Sequence, residues 1–214
     1  MVQTFDSSNF YSICDGLAAK DTHLATVIRE YGYPPVWTRS NTFSTLVLTI
    51  LEQQVSLASA FAAYKKLLEK LITITPEKIL ALSDEELRSC YFSRQKIVYV
   101  RGLAQSIVTN HINLEWLSEQ PDELVRTTLK QLKGIGDWTV DIYLMHALQR
   151  LDLFPLGDLA LINAMKMLMH LEKPTKEELL IIAEPWKPHR TIATMILWHY
   201  YIKRRTLSCC ISCI

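Results

Sequence analysis

No stretch of this chain alternates apolar and polar residues with a period of two over a useful length. That excludes half-buried sheets, because a strand with one face in a core must repeat every second residue. What recurs instead is helical spacing bounded by helix-starting signals. Between Asn41 and Gln53 the apolar residues Phe43, Leu46, Val47, Ile50 and Leu51 fall on one helical face. Residues 5–31 hold one or two helices, with Asp21-Thr22 opening the second. Tyr31-Gly-Tyr-Pro-Pro-Val-Trp37 is a break, since glycine and two prolines cannot continue a helix. Ser56 and Ser93 start further helices, and Thr75-Pro76 is a cap followed by proline at the first helical position. Ser83 with Glu86, and Thr175 with Glu178, have capping-box spacing. Pro121 opens another helix, and a final one runs from about His189 to Arg204. Leu71–Thr75 and Leu151–Leu156 are strand-like but too short to build a sheet. The reading is an all-α protein of ten or more short helices. Two helical lobes with a cleft between them are expected within one functional unit. One lobe covers 40–150, the other combines 1–39 with 151–204, and 205–214 is a tail.

The 214 residues suffice for a sizeable core, and 49% hydrophobic with 21% charged residues is a globular balance. A formal net charge of +1 speaks against any partner gripped through a lysine-rich surface. Cys14 and Cys90 stand alone, while Cys209, Cys210 and Cys213 crowd the end. Cys210-Ile-Ser-Cys213 has metal-ligand spacing, but no second pair or histidine cluster accompanies it, so the tail reads as reduced thiols. The start lacks a basic region followed by an apolar run, and no window reaches about eighteen apolar residues. A soluble, intracellular protein without membrane contact is expected.

One stretch carries chemistry: Leu129-Lys-Gln-Leu-Lys-Gly-Ile-Gly-Asp-Trp-Thr-Val-Asp-Ile-Tyr143. It reads as helix, tight glycine turn, helix. Leu129 and Leu132 would share a face of the first helix, and Val140, Tyr143 and Leu144 a face of the second. Gly134 and Gly136 permit a close connection, and Ile135 would plug the gap between the helices. The second helix then begins near Gly136 with free N–H groups, a ready site for a phosphate oxygen.

Asp158 follows Gly157 and precedes an apolar helical run, where aspartate commonly serves as an N-cap. The second hairpin helix spans roughly 20 Å, so the chain can return Asp158 toward the glycine turn. Among the tryptophans, Trp138 starts that second helix and Trp198 lies in the last one. Either can serve as core, or as a wall on which a flat, electron-poor ring stacks. Gln53-Gln-Val-Ser56 lies between two helices; its glutamines can cap helix ends or enter a gap in a base stack.

Three motifs in this order, Leu132-x-Gly-Ile-Gly-x-Trp-Thr, Phe154-Pro-Leu-Gly-Asp158-Leu-Ala-Leu and Glu184-Pro-Trp-Lys-Pro-His-Arg190, resemble the helix–hairpin–helix DNA glycosylase superfamily. Within it the chain is most similar to the alkylpurine branch, the 3-methyladenine DNA glycosylase II family, over about residues 40–204. The resemblance implies that Asp158 is the catalytic aspartate and that Gly134, Ile135 and Gly136 hold DNA phosphate. It implies that Trp138 and Trp198 lie beside a flipped base and that Gln54 wedges into the DNA gap. Backbone carbonyls of Lys130, Leu132 and Ile135 match positions that ligate a structural monovalent cation, Na+ or K+; no other cofactor is implied. Bifunctional members carry a lysine where Trp138 stands, so a monofunctional enzyme without lyase activity is expected. Iron–sulfur members carry four cysteines at wider spacing than the tail here, so no iron–sulfur cluster is expected.

The implied reaction is hydrolysis of the N-glycosidic bond of an alkylated purine, of the 3-methyladenine or 7-methylguanine class, in double-stranded DNA. A cationic base is already a good leaving group, and a carboxylate near the sugar offsets the positive charge that develops there. The protein would act as a monomer in base excision repair, in the cytoplasm or nucleoid of a bacterium or the nucleus of a eukaryote. The rival reading is a non-catalytic helix–hairpin–helix DNA-binding module. It accounts for Gly-Ile-Gly but not for Asp158 or the tryptophans. A helical protein-binding scaffold accounts for none of them.

Overall fold

The computed structural model describes residues 3–211, with side chains through Arg205. Cys209, Cys210 and Cys213 lie outside the described side chains. In chain order the helices are α1 (Phe10–Ala18), α2 (Thr22–Tyr31), α3 (Phe43–Glu52), α4 (Leu57–Leu71), α5 (Pro76–Ala81), α6 (Asp84–Ser89) and α7 (Arg94–Val108). They continue as α8 (Leu114–Ser118), α9 (Asp122–Leu129), α10 (Asp137–His146), α11 (Leu159–Met169), α12 (Lys176–Ala183) and α13 (Arg190–Ile211). Among the described residues there is no strand, and only one antiparallel bridge, Thr4 with Arg150. None of the helices is long and apolar enough to cross a membrane, among the described residues.

The starts of these helices follow side-chain chemistry. Asp21 accepts from the N–H groups of His23 and Leu24, and Ser56, Thr75 and Ser93 each accept from an N–H in the first turn that follows. Both capping boxes form, Ser83 with Glu86 and Thr175 with Glu178. Each cap satisfies an N–H that the helix cannot satisfy itself, worth about 1 kcal/mol. α8, held by Asn113, is short and was not signalled by periodicity.

The backbone divides into two units. The first joins Gln3–Thr38 to the chain from Gln149 onward; the second is Arg39–Leu148. In the first unit α13 packs against α1, α2 and α11. Its centre is fully buried: Ile192, Ala193, Met195, Ile196 and Leu197 are at 0% exposure. Trp186 is buried too, with Phe154 edge-on to its ring and its indole N–H donating to Asp21 Oδ2 at 2.8 Å. The same aspartate therefore caps α2 and anchors Trp186.

In the second unit α3 packs against α4, α7 and α10, and α9 packs against α10. α10 is not the amphipathic helix expected, because every residue from Thr139 to His146 is buried. A helix buried nearly all round must have its polar groups partnered, as Asp141 is by Arg126. The last turn of α3 is pinned from two sides. Arg39 makes a bidentate ion pair with the buried Glu52 at 2.6 and 2.9 Å, and Lys96 Nζ donates to the Leu51 carbonyl at 2.6 Å. Burial lowers the Lys96 pKa.

Candidate active site and nucleic-acid interface

The glycine hairpin is looser in sequence than the motif suggests. α9 stops at Leu129, so Leu132 falls in the connection and not on a helix face, and residues 130–136 join the two helices. The turn is nonetheless rigid. The Leu132 carbonyl accepts from the Ile135 N–H at 3.1 Å, and Ile135 is buried at 5% exposure.

The two glycines do different work. Gly134 has φ +87°, and a Cβ there would lie 2.2 Å from the ring of Tyr99. Both backbone conformation and close packing therefore require glycine. Gly136 has φ −103° and ψ −176°, an ordinary extended conformation, and a Cβ would meet nothing within 4 Å. It forms the N-cap of α10 without a side-chain cap, so first-turn N–H groups remain for an outside acceptor. Nothing inside the protein demands glycine at 136.

Charge around the turn is nearly cancelled. Asp137 pairs with Lys130 at 2.7 Å and with Arg126 at 3.3 Å, and Arg126 also bonds Asp141. The Lys130 ammonium beside Asp137 holds its carboxyl below the usual range. Burial pushes the Asp141 carboxyl up, against the pull of Arg126. Burial works against the Arg126 charge, but Asp141 and Asp137 outweigh it and raise its pKa. Lys133 is exposed and makes no ion pair among the described residues. Trp138 is half-buried in the first turn of α10.

Between α3 and α4 the loop places Gln54 exposed, with φ +56°, a conformation rare outside glycine. Its neighbour Gln53 turns the other way. Its amide nitrogen donates to the Gly134 carbonyl and to Thr139 Oγ1, each at 2.8 Å. The bonding of Gln53 was not legible in the sequence, where both glutamines looked alike. Nor was Tyr99, which no motif links to Gly134.

In the other unit the remaining two motifs fold onto each other. Asp152 holds Arg190 through its carboxylate, with Arg190 Nε at 2.7 Å and a second nitrogen at 2.9 Å. Thr191 closes the same junction, its hydroxyl donating to the Arg150 carbonyl and accepting from the Leu153 N–H. Asp158 thus emerges from a loop fastened to the start of α13. It caps α11, accepting from the Leu161 N–H at 2.8 Å. Eight residues into α13, Trp198 donates its indole N–H to the same oxygen, Asp158 Oδ1, at 2.9 Å. Trp198 is 9% exposed, with Trp37 edge-on to it. Cap and catalytic candidate are therefore one residue. The pair Asp158–Trp198 is brought together by folding; Gly134, Ile135, Gly136, Trp138 and Gln54 all belong to the Arg39–Leu148 unit.

A family model described as HhH-GPD superfamily base excision DNA repair protein matches residues 47–188, which contain the hairpin, Asp158 and Trp186. The chain belongs to this superfamily. A DNA-3-methyladenine glycosylase of Bacillus subtilis is 31% identical over 169 residues, covering 73% of this chain and 56% of that protein. DNA-3-methyladenine glycosylase 1 of Schizosaccharomyces pombe is 30% identical, covering 86% of this chain and 82% of that protein. Among solved structures, the Schizosaccharomyces pombe 3-methyladenine DNA glycosylase in complex with abasic DNA superposes with TM-score 0.81. It is 29% identical, covering 87% of this chain and 95% of that one. The chain spans only 65% and 56% of the lengths of the two Bacillus subtilis relatives it matches. The superfamily's all-helical fold is the one described here.

Proposed function

We propose that this member of the superfamily is a monofunctional DNA glycosylase. It releases alkylated purines from double-stranded DNA by hydrolysing the N-glycosidic bond, leaving an abasic site in base excision repair. The observation that carries the reading is the carboxylate of Asp158, held on Oδ1 by two donors from separate helices, the Leu161 N–H and the Trp198 indole. A carboxylate with a fixed position can oppose the positive charge that grows on the sugar as the bond breaks. It can also orient the attacking water or take its proton. Trp198 then acts on the reaction through Asp158, and Trp138 is the aromatic residue assigned to the flipped base. The alkylpurine class is supported by the names of the relatives.

Gly136 and the first turn of α10 are assigned to a DNA phosphate, and Gln54 to the gap in the base stack. Trp138, which has no amine, stands where a bifunctional enzyme carries its nucleophilic lysine. The carbonyl oxygens of Lys130, Leu132 and Ile135 are assigned to a structural Na+ or K+, which would brace the turn. Leu132 O spends one of its two lone pairs on the Ile135 N–H, so it retains capacity for an ion. A protein with this role acts where the DNA is, as a monomer.

The test is Asp158→Asn. Asparagine caps helices as well as aspartate does, so the start of α11 survives and only the charge is lost. Release of free base from methylated DNA should fall by a factor of about a hundred or more, the size of other electrostatic deletions. Near-normal release would end the assignment.

A further inference from the structure

We propose that Gln53 is the positioning residue that locks the Gln54 loop to the phosphate-holding hairpin, so that base extrusion and phosphate grip act as one rigid unit. The inference rests on the proposed glycosylase reading for its biological meaning, but not for its test. Extruding a base opens a gap whose position is set by the held phosphates. A side chain that enters the gap must therefore sit at a fixed place relative to the residues that hold the phosphate. Gln54 is exposed on a loop of Gln53–Ser56, and an exposed loop alone does not hold such a position.

Gln53 supplies the fixture. Its amide carries two hydrogens, and both are used, one on the Gly134 carbonyl and one on Thr139 Oγ1. Both acceptors lie in the hairpin, Gly134 two residues before Gly136 and Thr139 in the first turn of α10. The peptide joining Gly134 to Ile135 is thereby held at both ends: its carbonyl by Gln53, its N–H by the Leu132 carbonyl. Thr139 is buried at 2% exposure, so little water competes for its hydroxyl. On the other side of Gln53, Arg39 and Lys96 hold the last turn of α3 through Glu52 and the Leu51 carbonyl. Gln54, the next residue, has positive φ and is exposed. Adjacent glutamines thus have opposite tasks, one facing the hairpin and one facing out.

The experiment uses the whole chain and a duplex carrying 2-aminopurine next to an abasic-site analogue, whose fluorescence rises when stacking at the gap is broken. The variants are Gln53→Met and Gln53→Glu, which keep length but lose both donors, and Thr139→Val, which removes one acceptor and keeps shape. Wild-type protein should raise the fluorescence about threefold or more, and the Gln53 variants should lose most of that gain. Their affinity for the duplex should change by less than about threefold, since Gln53 bonds a carbonyl and a hydroxyl and none of the N–H groups assigned to phosphate. Thr139→Val should lose part of the gain, and adding it to Gln53→Met should cause no further loss, because the two share a bond. Full fluorescence gain in the Gln53 variants, or equal loss of gain and affinity, would overturn the proposal. Additive losses in the double variant would overturn it as well. Because this readout needs no catalysis, absence of base release from methylated DNA by the wild type would sink the glycosylase reading alone.

Discussion

The two hairpin glycines offer a separation of folding from binding. At Gly134 alanine must adopt φ +87°, which costs about 1–2 kcal/mol for a residue with a Cβ. Its Cβ would also fall 2.2 Å from the Tyr99 ring, so the ring must move, and forced overpacking costs roughly 1–3 kcal/mol. For a protein of this size about 1 kcal/mol shifts Tm by roughly 2–4 °C, so Gly134→Ala should lower Tm by about 5 °C or more. At Gly136 the conformation is ordinary and the space is open. Gly136→Asp supplies a better N-cap, so stability should stay level or rise by a few tenths of a kcal/mol, about 1 °C in Tm. The same change places a negative charge where the reading places a phosphate. Two like charges about 4 Å apart repel by roughly 1 kcal/mol in water and about 4 kcal/mol at a protein surface. Affinity for undamaged duplex should therefore fall about tenfold or more, measured by fluorescence anisotropy beside a thermal melt. Lys133→Ala should cost less than Gly136→Asp. Unchanged DNA affinity in Gly136→Asp, at preserved Tm, would refute the assignment of this turn to phosphate. A larger effect of Lys133→Ala would show that a basic patch, not the backbone, holds the DNA.

Three further outcomes are expected. Trp198→Phe keeps a ring but loses the donor to Asp158 Oδ1; base release should fall by about tenfold to a hundredfold, as for other mispositioned groups, while DNA affinity is retained. Full activity in that variant would remove Trp198 from the positioning of Asp158. Borohydride should trap no covalent adduct between the protein and DNA, because Trp138 has no amine; efficient trapping on denaturing gels would reveal another nucleophile. Burial, with Lys20 nearby, lowers the His189 pKa against the opposing pull of Asp152. The unfolded chain then binds more protons below its pKa of about 6.5, so this group's contribution is present above that pH and is lost on acidification. Tm should fall less between pH 7.5 and 5.5 in His189→Gln than in the wild type, and an identical fall would exclude this histidine.

Helix starts were legible because they are local. Asp21, Ser56, Thr75, Ser83, Ser93, Asp158 and Thr175 each reach an N–H no more than three residues ahead, so the bond is written in the sequence itself. The all-α class followed from the same local grammar, and the three spaced motifs sufficed for the superfamily. Helix ends and faces were less legible. Leu132 has the spacing of a helix residue yet lies in the turn, since the chain leaves the helix after Leu129 to bury Ile135. The single apolar face read for α10 missed its nearly complete burial, which depends on how many neighbours surround a helix and not on its own period.

What only the tertiary structure decided is the pairing of residues far apart in the chain. The motif makes Asp158 a candidate, but does not show that Trp198 shares its Oδ1 with the Leu161 N–H. Gln53 and Gln54 are chemically identical, and only the approach of Gly134 and Thr139 gives one of them a fixed partner. Gly134 and Gly136 look alike in the sequence, and only Tyr99 makes the first a requirement of packing and leaves the second open. Backbone propensity and capping act over a turn or less and so are encoded locally. Which side chain meets which across the core depends on the placement of every helix at once, and is settled only when the chain has folded.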